Sequence, residues 1–285
     1  MKTNRYPEQM DGLERVLKNL RWHAARLRSW LRYGRVRYIV TAPDFPSKRA
    51  SIQVYAQALG WVVTNVDRHD DNDSKAVLRL AFHDTTCAEP RKEGWVNGAR
   101  GDISKSALDA RHHSVFNYGV AVDPLTYKGV MLEKSEANAA HDGSEIQGPI
   151  TAVTSGKVYQ RIIDNRLPDG RFADFRAVVI GDALPMVYCK VKAAGRRYTN
   201  ETAEVTLLET AAVFSSQECD QILALCRLMG VDFAELDVLR DAGDGLVYVV
   251  DVNPTPYGPP AGLSKSARAH AVAQVSAALQ RLTSG

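Results

Sequence analysis

The sequence predicts a protein of the α/β (α+β) class, and two observations carry that prediction. Apolar runs at residues 36–41 and 61–66 flank a helical pattern at residues 47–59, which is a β-α-β order. Later in the chain, short apolar runs alternate with turns, and helical patterns occupy residues 216–229 and 264–282. Strands and helices are therefore mixed along the whole chain, with a parallel unit at the front.

Composition narrows the class of protein further. The 285 residues are 45% hydrophobic and 24% charged with a net charge of +3, which is typical of a globular protein and too balanced to favour nucleic acid as a partner. The first ten residues are polar and no run approaches about 18 apolar residues, so we expect a cytoplasmic protein that is not bound to a membrane. The four cysteines form no C-x-x-C pair, which favours reduced thiols over zinc ligands or disulfides.

Residues 8–33 predict an amphipathic helix. Its apolar positions recur at helical spacing, and basic residues occupy the other positions: Arg15, Lys18, Arg21, Arg26, Arg28 and Arg32. The apolar positions are Leu13, Val16, Leu17, Leu20, Ala24, Leu27 and Leu31. We expect the basic face to be a solvated outer face. The alternative, that it meets nucleic acid or a membrane surface, is disfavoured because few aromatic residues interleave with the charges.

The β-α-β order predicts a small parallel-sheet domain over residues 1–105, with a third strand at 76–82 and Gly60 ending the helix. A second domain is expected over residues 106–285, opening near a short helix at residues 104–116. The acidic stretch at residues 67–74 is interpreted as a solvated loop rather than a cation site. Neighbouring residues on a helix point apart, so His112 and His113 are expected to be structural.

Residues 232–256, which read DFAELDVLRDAGDGLVYVVDVNPTP, predict a β-hairpin around the turn at residues 241–245. Centring the hairpin on that turn places Asp237 opposite Asp251. Because side chains alternate along a strand, one face then carries apolar residues and the other a polar set. The apolar set is Leu236, Val238, Val250 and Val252, and the polar set is Glu235, Asp237, Asp251 and Asn253, with Leu239 and Val249 beside it.

Crowded carboxylates on one face repel each other and favour a compensating cation. Magnesium prefers oxygen ligands and commonly takes one or two carboxylates, with nucleotide phosphates completing its shell. The residues therefore favour a magnesium site made by Asp237, Asp251 and Asn253. The alternative is an exposed hairpin face whose acids are simply hydrated.

The pattern D-V-L…V-V-D-V-N-P-T-P resembles the end of the ATP-grasp domain, whose members include ribosomal-protein glutamate ligases and D-alanine–D-alanine ligases. In that family an Asp on one strand and a Glu-x-Asn on the next bind one or two magnesium ions. The resemblance therefore implies the same three ligands for Mg²⁺, with Mn²⁺ as a substitute. One departure is that Asp251 stands where the family usually has Glu.

The resemblance extends over residues 106–260 and implies roles for further residues. Arg176, in a D-x-R strand, and Lys190 would reach the nucleotide phosphates, while Arg197 and Asn200 would lie near the reacting carboxyl. Phosphates or adenine would be contacted by Lys105 and Lys134 and by His141 in the loop at residues 137–143. A hinge between lobes at 106–163 and 164–285 would hold adenine and ribose through Gln160, Arg161, Ile162, Ile163 and Asp164. Asp164 is equally well interpreted as a turn residue.

The resemblance implies an ATP-grasp fold preceded by a small β-α-β domain, and a magnesium-ATP-dependent carboxylate–amine (or carboxylate–thiol) ligase. Such an enzyme forms an acylphosphate and releases ADP and phosphate. Its substrates would be small-molecule or peptide carboxylates and amines, and a homodimer is an expected state because relatives are commonly dimers. Two alternatives stay open: a small-molecule kinase on the same fold, and a nucleotide-binding module without turnover.

Overall fold

The computed structural model describes residues 12–65, 76–90, 94–136, 142–195 and 202–283, with side chains in the first range described from residue 20. The helices are α1 (Gly12–Tyr33), α2 (Ser51–Leu59), α3 (Lys105–Phe116), α4 (Ser216–Met229) and α5 (Lys265–Leu282). The strands are β1 (Tyr38–Pro43), β2 (Val62–Asn65), β3 (Ala76–Phe82), β4 (Gly129–Ser135), β5 (Ser144–Gly148), β6 (Lys157–Arg161), β7 (Phe172–Ile180), β8 (Val187–Lys192), β9 (Glu204–Leu208), β10 (Phe233–Arg240) and β11 (Val247–Asn253). His141, Arg197, Asn200 and the acidic stretch 67–74 lie outside the described residues.

The front of the chain forms a three-stranded parallel sheet in the order β2-β1-β3, as the β-α-β pattern predicts. Helix α2 connects β1 to β2 and ends at Gly60, whose left-handed φ of 71° lets its N–H donate to the carbonyls of Ala56 and Gln57. This glycine ends the helix where the sequence predicts.

Two antiparallel sheets follow. A five-stranded sheet has the order β11-β10-β7-β8-β9, and a three-stranded sheet has the order β5-β4-β6. Helices α3 and α4 cover one face of the five-stranded sheet, where Leu108 and Leu225 pack with Leu236 and Val252. The opposite face is therefore left for other contacts.

That opposite face is divided along its length. At one end, Tyr188 and Phe233 share a hydrophobic core with Ile39 and Ile52 of the front unit and with Leu279 of α5. At the other end, the same face carries polar and charged side chains. The front unit thus packs directly on the sheet that carries the predicted site.

Helix α1 packs differently from the amphipathic expectation. Arg21, Arg28 and Arg32 are exposed as expected, but the leucines at positions 20, 27 and 31 are exposed as well. The helix contacts the front unit through the side chains of Trp22 and Ala25, which pack against Tyr38, Val40 and Val62. The apolar face in the sequence is therefore not the face that α1 buries.

The hairpin of β10 and β11 has the predicted pairing at its polar end, with Asp237 opposite Asp251 and Glu235 opposite Asn253. A β-bulge then shifts the register, so Val238 faces Val249. The placement of Val250 on the apolar face and Val249 on the polar face was wrong: Val249 joins the core, and Val250 packs beside Val120, Ile163 and Tyr248.

The start of β10 is fixed by the loop that precedes α3. The side chain of Asn97 accepts hydrogen bonds from the N–H groups of Asp232 and Phe233, and its amide donates to the Phe233 carbonyl. Gly230 ends α4 at a φ of +66°, and a Cβ there would overlap the backbone of Ala99 and Arg100. The α4–β10 junction, which sets the position of Asp237, therefore requires glycine.

We predict that Gly230→Ala lowers the free energy of unfolding by about 3 kcal/mol or more. Alanine is strained at a positive φ, and the overlap of its Cβ with the neighbouring backbone adds a second cost. Gly170→Ala is the matched control, since Gly170 also has a positive φ (+84°) but nothing within 4 Å of the position that an added methyl group would take. It should cost only about 1 kcal/mol. Urea denaturation at 25 °C measures both, and equal losses in the two variants would contradict the packing at this junction.

Candidate functional site

The polar end of the five-stranded sheet brings charged residues from three neighbouring strands side by side. Asp237 lies in register with Asp251 on one neighbouring strand and with Arg176 on the other, and Arg176 is in register with Tyr188. Directly paired residues place their side chains on the same face of a sheet. A single row across β11, β10, β7 and β8 therefore forms the centre of the site.

Arg176 holds two acids at once. Its Nε and Nη2 donate to the two carboxylate oxygens of Asp237 at 2.8 and 3.2 Å, and its Nη1 lies 3.4 Å from an oxygen of Glu235. Burial disfavours the charge on the guanidinium, but Asp237 and Glu235 outweigh it and raise the pKa of Arg176 above its ordinary value. The arginine is thus a fixed positive charge in the middle of the row.

The pKa of the Asp251 carboxyl is raised well above its ordinary value. Burial, and then the neighbouring Asp237 carboxylate, raise the pKa of Asp251 to about 6, although Lys105, Arg176 and Lys134 oppose the shift. Two adjacent, partly desolvated carboxylates are unfavourable unless a cation shares them. The pair of Asp237 and Asp251 therefore has the electrostatics of a cation site.

Glu235 is the buried acid beside the pair, and the sequence analysis places it on the polar face without including it among the candidate ligands. It is 2% exposed, and its Oε1 has no hydrogen-bond partner among the described residues. Burial raises the pKa of Glu235 to about 7, while Arg176 and Lys190 lower it. The period-2 alternation places Glu235 on the polar face, and that position beside Asp237 is the signal that could have identified it.

Three lysines surround the acids. Lys190 lies opposite Asp174 in the sheet, and burial followed by the nearby Arg176 guanidinium lowers the pKa of Lys190. Lys105, the first residue of α3, also has its pKa lowered by burial, with Asp251 as the strongest opposing charge. Lys134 on β4 is close enough to Asp251 to lower the pKa of that carboxyl. Cations from three different elements therefore converge on one acidic pair.

The residues present fit magnesium. Asn253, next to Asp251 along the same face, accepts hydrogen bonds at its Oδ1 from the Thr255 N–H at 3.0 Å and, more weakly, from the Thr255 hydroxyl at 3.5 Å, so a metal ion would compete only with the longer contact. In the part of the chain that the structure describes, no three His, Cys, Asp or Glu side chains form a metal site by themselves. Two carboxylates and an amide are the smaller set that magnesium uses when phosphates supply further oxygens.

Several hydrogen-bonding groups of the predicted hinge residues are already engaged by other residues of the protein. The Arg161 N–H donates to the Val120 carbonyl at 2.7 Å, so the amide expected to meet adenine is hydrogen-bonded within the protein. The Arg161 guanidinium instead pairs with Asp244 at 2.8 Å and lies over the Tyr248 ring at 4.6 Å. These contacts tie the hinge to the hairpin turn.

Asp164 is also held by the protein. Its N–H donates to Asp241, and its carboxylate pairs with Arg166 at 2.6 Å. Gln160 is buried, whereas Ile162 is partly exposed and Ile163 packs with Val120 and Tyr248. The geometry thus favours the turn interpretation of Asp164 over a ribose contact.

The remaining sequence candidates are structural. His112 is buried, its Nδ1 lies 2.9 Å from the Tyr118 carbonyl, and burial lowers its pKa. All four cysteines are free, as predicted. Within the described ranges, none of the helices combines the length and hydropathy needed to cross a lipid bilayer.

Comparison with known proteins identifies the architecture. The ATP-grasp ligase PsnB, solved with a minimal precursor, Mg and ADP, is similar with a TM-score of 0.52 and 14% identity, over 87% of this chain and 97% of that one. D-alanine–D-alanine ligase from Bacillus anthracis is similar with a TM-score of 0.50 and 11% identity, over 87% and 96% of the two chains.

No protein-family model and no curated protein matches the sequence, so the likeness is one of structure. At these identities the solved structures establish the fold alone. Their coverage of most of this chain agrees with the mixed sheets and helices seen here. The chain has the ATP-grasp fold, as the resemblance of its hairpin motif predicts.

Proposed function

We propose that the protein is a magnesium-ATP-dependent carboxylate–amine ligase. The observation that carries the proposal is the adjacent, half-buried pair of Asp237 and Asp251, with Arg176 and three lysines around it. Phosphoryl transfer needs a metal ion bound to the phosphates and cationic side chains near the oxygens on which negative charge develops. This arrangement supplies ligands for the metal ion and supplies the cations. The solved complex of PsnB with Mg and ADP has the same fold.

Each residue then has a role. Asp237, Asp251 and Asn253 would hold one or two magnesium ions, which neutralise phosphate charge when bound. Arg176 and Lys190 would face the transferred phosphoryl group, and Lys105 and Lys134 the other phosphates. His141 and Arg197 keep their proposed roles at the phosphates and the reacting carboxyl.

The proposed reaction needs no nucleophile from the protein. A carboxylate oxygen attacks the γ-phosphorus of ATP, the bond to ADP breaks, and an acylphosphate forms. The nitrogen of an amine then attacks the acyl carbon, phosphate leaves, and the nitrogen loses a proton. Arg176 is suited to both steps, because Asp237 and Glu235 keep its guanidinium charged despite its burial.

We predict that ADP and phosphate are released from magnesium-ATP only when a suitable carboxylate and amine are both present. Asp237→Asn should lower this turnover at least 100-fold, because it removes a metal ligand and a partner of Arg176. Asp220→Asn on the exposed surface of α4 is the control and should keep full activity. The turnover is measured by screening pairs of carboxylates and amines in assays that detect ADP and phosphate.

If the reaction with magnesium-ATP gave other products, the ligase proposal would be wrong. AMP and pyrophosphate would exclude the acylphosphate route, and a stable phosphorylated product without amine would indicate a kinase. Thermal stabilisation by magnesium-ATP with no consumption of ATP by any pair would indicate a binding module without turnover.

The raised carboxyl pKa values predict how the metal-free protein responds to pH. A group whose pKa is higher in the folded state stabilises the fold most below its ordinary pKa, and this contribution is lost as pH rises through the folded value. For Glu235 the change runs from 4.5 to about 7, and at 1.36 kcal/mol per unit it amounts to about 3 kcal/mol. In EDTA, stability should therefore fall between pH 5 and pH 8.

Glu235→Gln should remove much of that decline, since the variant has no charge to bury. Glu89→Gln, at an exposed position, is the control and should follow the wild-type pH dependence. Urea denaturation at pH 5, 6, 7 and 8 gives the three curves. Identical slopes for wild type and Glu235→Gln would contradict the burial of an ionisable group at this position.

A further inference from the structure

A cleft runs along the free edge of the front sheet. Among the described strands, β2 pairs with β1 alone, so its other edge is open. Helix α1 packs against Val62 on one face of this sheet, and α2 packs with Val63 on the other face. Residues of both helices and of β2 line the cleft, whose volume is about 790 Å³. This volume is within the range of about 300 to 1,000 Å³ that is usual for ligand sites.

The backbone of β2 directs hydrogen-bonding groups to the open edge. The Val62 N–H donates at 2.9 Å to the carbonyl of Arg37, just before β1, so the backbone of Val62 faces β1. Successive residues of a strand direct their backbone groups to opposite edges, and the N–H and C=O of Val63 therefore face the cleft. Backbone groups at an open sheet edge are the template on which a further strand adds. The cleft is therefore suited to an extended peptide.

Every charged residue that lines the cleft is basic. Arg21 and Arg28 lie on α1, and Lys48 lies just before α2. All three side chains are exposed, and none forms an ion pair with another residue that the structure describes. No Asp or Glu is among the lining residues. The cleft therefore attracts an acidic segment and repels a basic one.

Away from these cations the lining is less exposed and largely apolar. Trp22, Ala25 and Val54 are half-buried there. Trp61 and Thr64 are 3% and 2% exposed, yet Trp61 Nε1 and Thr64 Oγ1 have no hydrogen-bond partner in the described part of the chain. Buried polar groups normally have a partner, so a ligand with both apolar and hydrogen-bonding groups would complete this lining.

We propose that the cleft binds an extended acidic segment of a partner protein, which adds to β2 as a further strand. The backbone of the segment pairs with that of Val63, apolar side chains at its centre contact Trp22 and Val54, and acidic residues at its ends meet the three cations. The open edge selects an extended backbone, because a helical segment would leave the Val63 groups without partners. The cations select acidic residues on that backbone.

Fluorescence anisotropy with three labelled peptides tests the proposal on the wild-type protein. We predict that Asp-Glu-Val-Val-Val-Glu-Asp binds with a Kd of about 100 µM or below. Asp-Glu-Val-Pro-Val-Glu-Asp has the same charge but lacks the central N–H, and it should bind at least about 10-fold more weakly. Lys-Lys-Val-Val-Val-Lys-Lys keeps the apolar centre and should show no binding.

A charge reversal tests whether the peptide occupies this cleft. Arg28→Glu should weaken binding of the acidic peptide at least about 10-fold with an unchanged melting temperature, because Arg28 is exposed. Arg281→Glu on α5 is the matched control: it reverses an exposed arginine outside the cleft and should bind the peptide as the wild type does. Equal losses in the two variants would assign the attraction to net charge and overturn the site.

Amide hydrogen exchange locates the bound peptide directly. The acidic peptide should slow the exchange of the Val63 N–H, because strand addition places that group in a hydrogen bond. Exchange at Val63 that the bound peptide leaves unchanged would overturn strand addition, as would equal binding of the proline-containing peptide.

Two further results would overturn the proposal. One is the absence of binding of the acidic peptide up to about 1 mM. The other is displacement of that peptide by a single-stranded oligonucleotide at a lower concentration, which would assign the cations to nucleic acid. All of these measurements are made without ATP or magnesium, so their failure is distinguishable from a failure of the proposed ligase activity.

Discussion

The ion pair between Arg176 and Asp237 is the interaction on which the site depends. It joins β7 to β10 at the middle of the five-stranded sheet and also reaches Glu235. Removing the arginine would leave the buried Glu235 carboxylate without its ion-pair partner. The cost of such an unpaired buried charge exceeds the stabilisation that the intact pair provides. The same guanidinium therefore stabilises the acidic row and provides its central positive charge.

The rest of the fold keeps that row in place. The front unit and α5 share a hydrophobic core with the apolar end of the same sheet face, so the charged end begins where this core stops. Gly258 lies at the boundary, because a Cβ there would come within 3.1 Å of Glu235 Oε1. The segment around Gly258, packed beside Ser51 and Tyr55 of α2, thus covers Glu235.

The sequence predicted the parts of the site that depend on local rules. A turn at residues 241–245 fixes the pairing of Asp237 with Asp251, because register follows from turn position and side chains alternate. The bulge could not be predicted, since Val249 and Val250 are the same residue type and only tertiary packing distinguishes them. The face that α1 buries was equally unpredictable, because residue types alone do not show whether an apolar helix face packs on the chain's own core or stays exposed, as Leu20, Leu27 and Leu31 do.

The most direct test of the nucleotide site is a crystal structure with Mg²⁺ and a non-hydrolysable ATP analogue. We expect a magnesium ion about 2.1 Å from oxygens of Asp237, Asp251 and Asn253, with Arg176 and Lys190 toward the γ-phosphate. Nucleotide bound elsewhere, or Asp237 and Asp251 without a metal while the analogue is present, would contradict the proposed site.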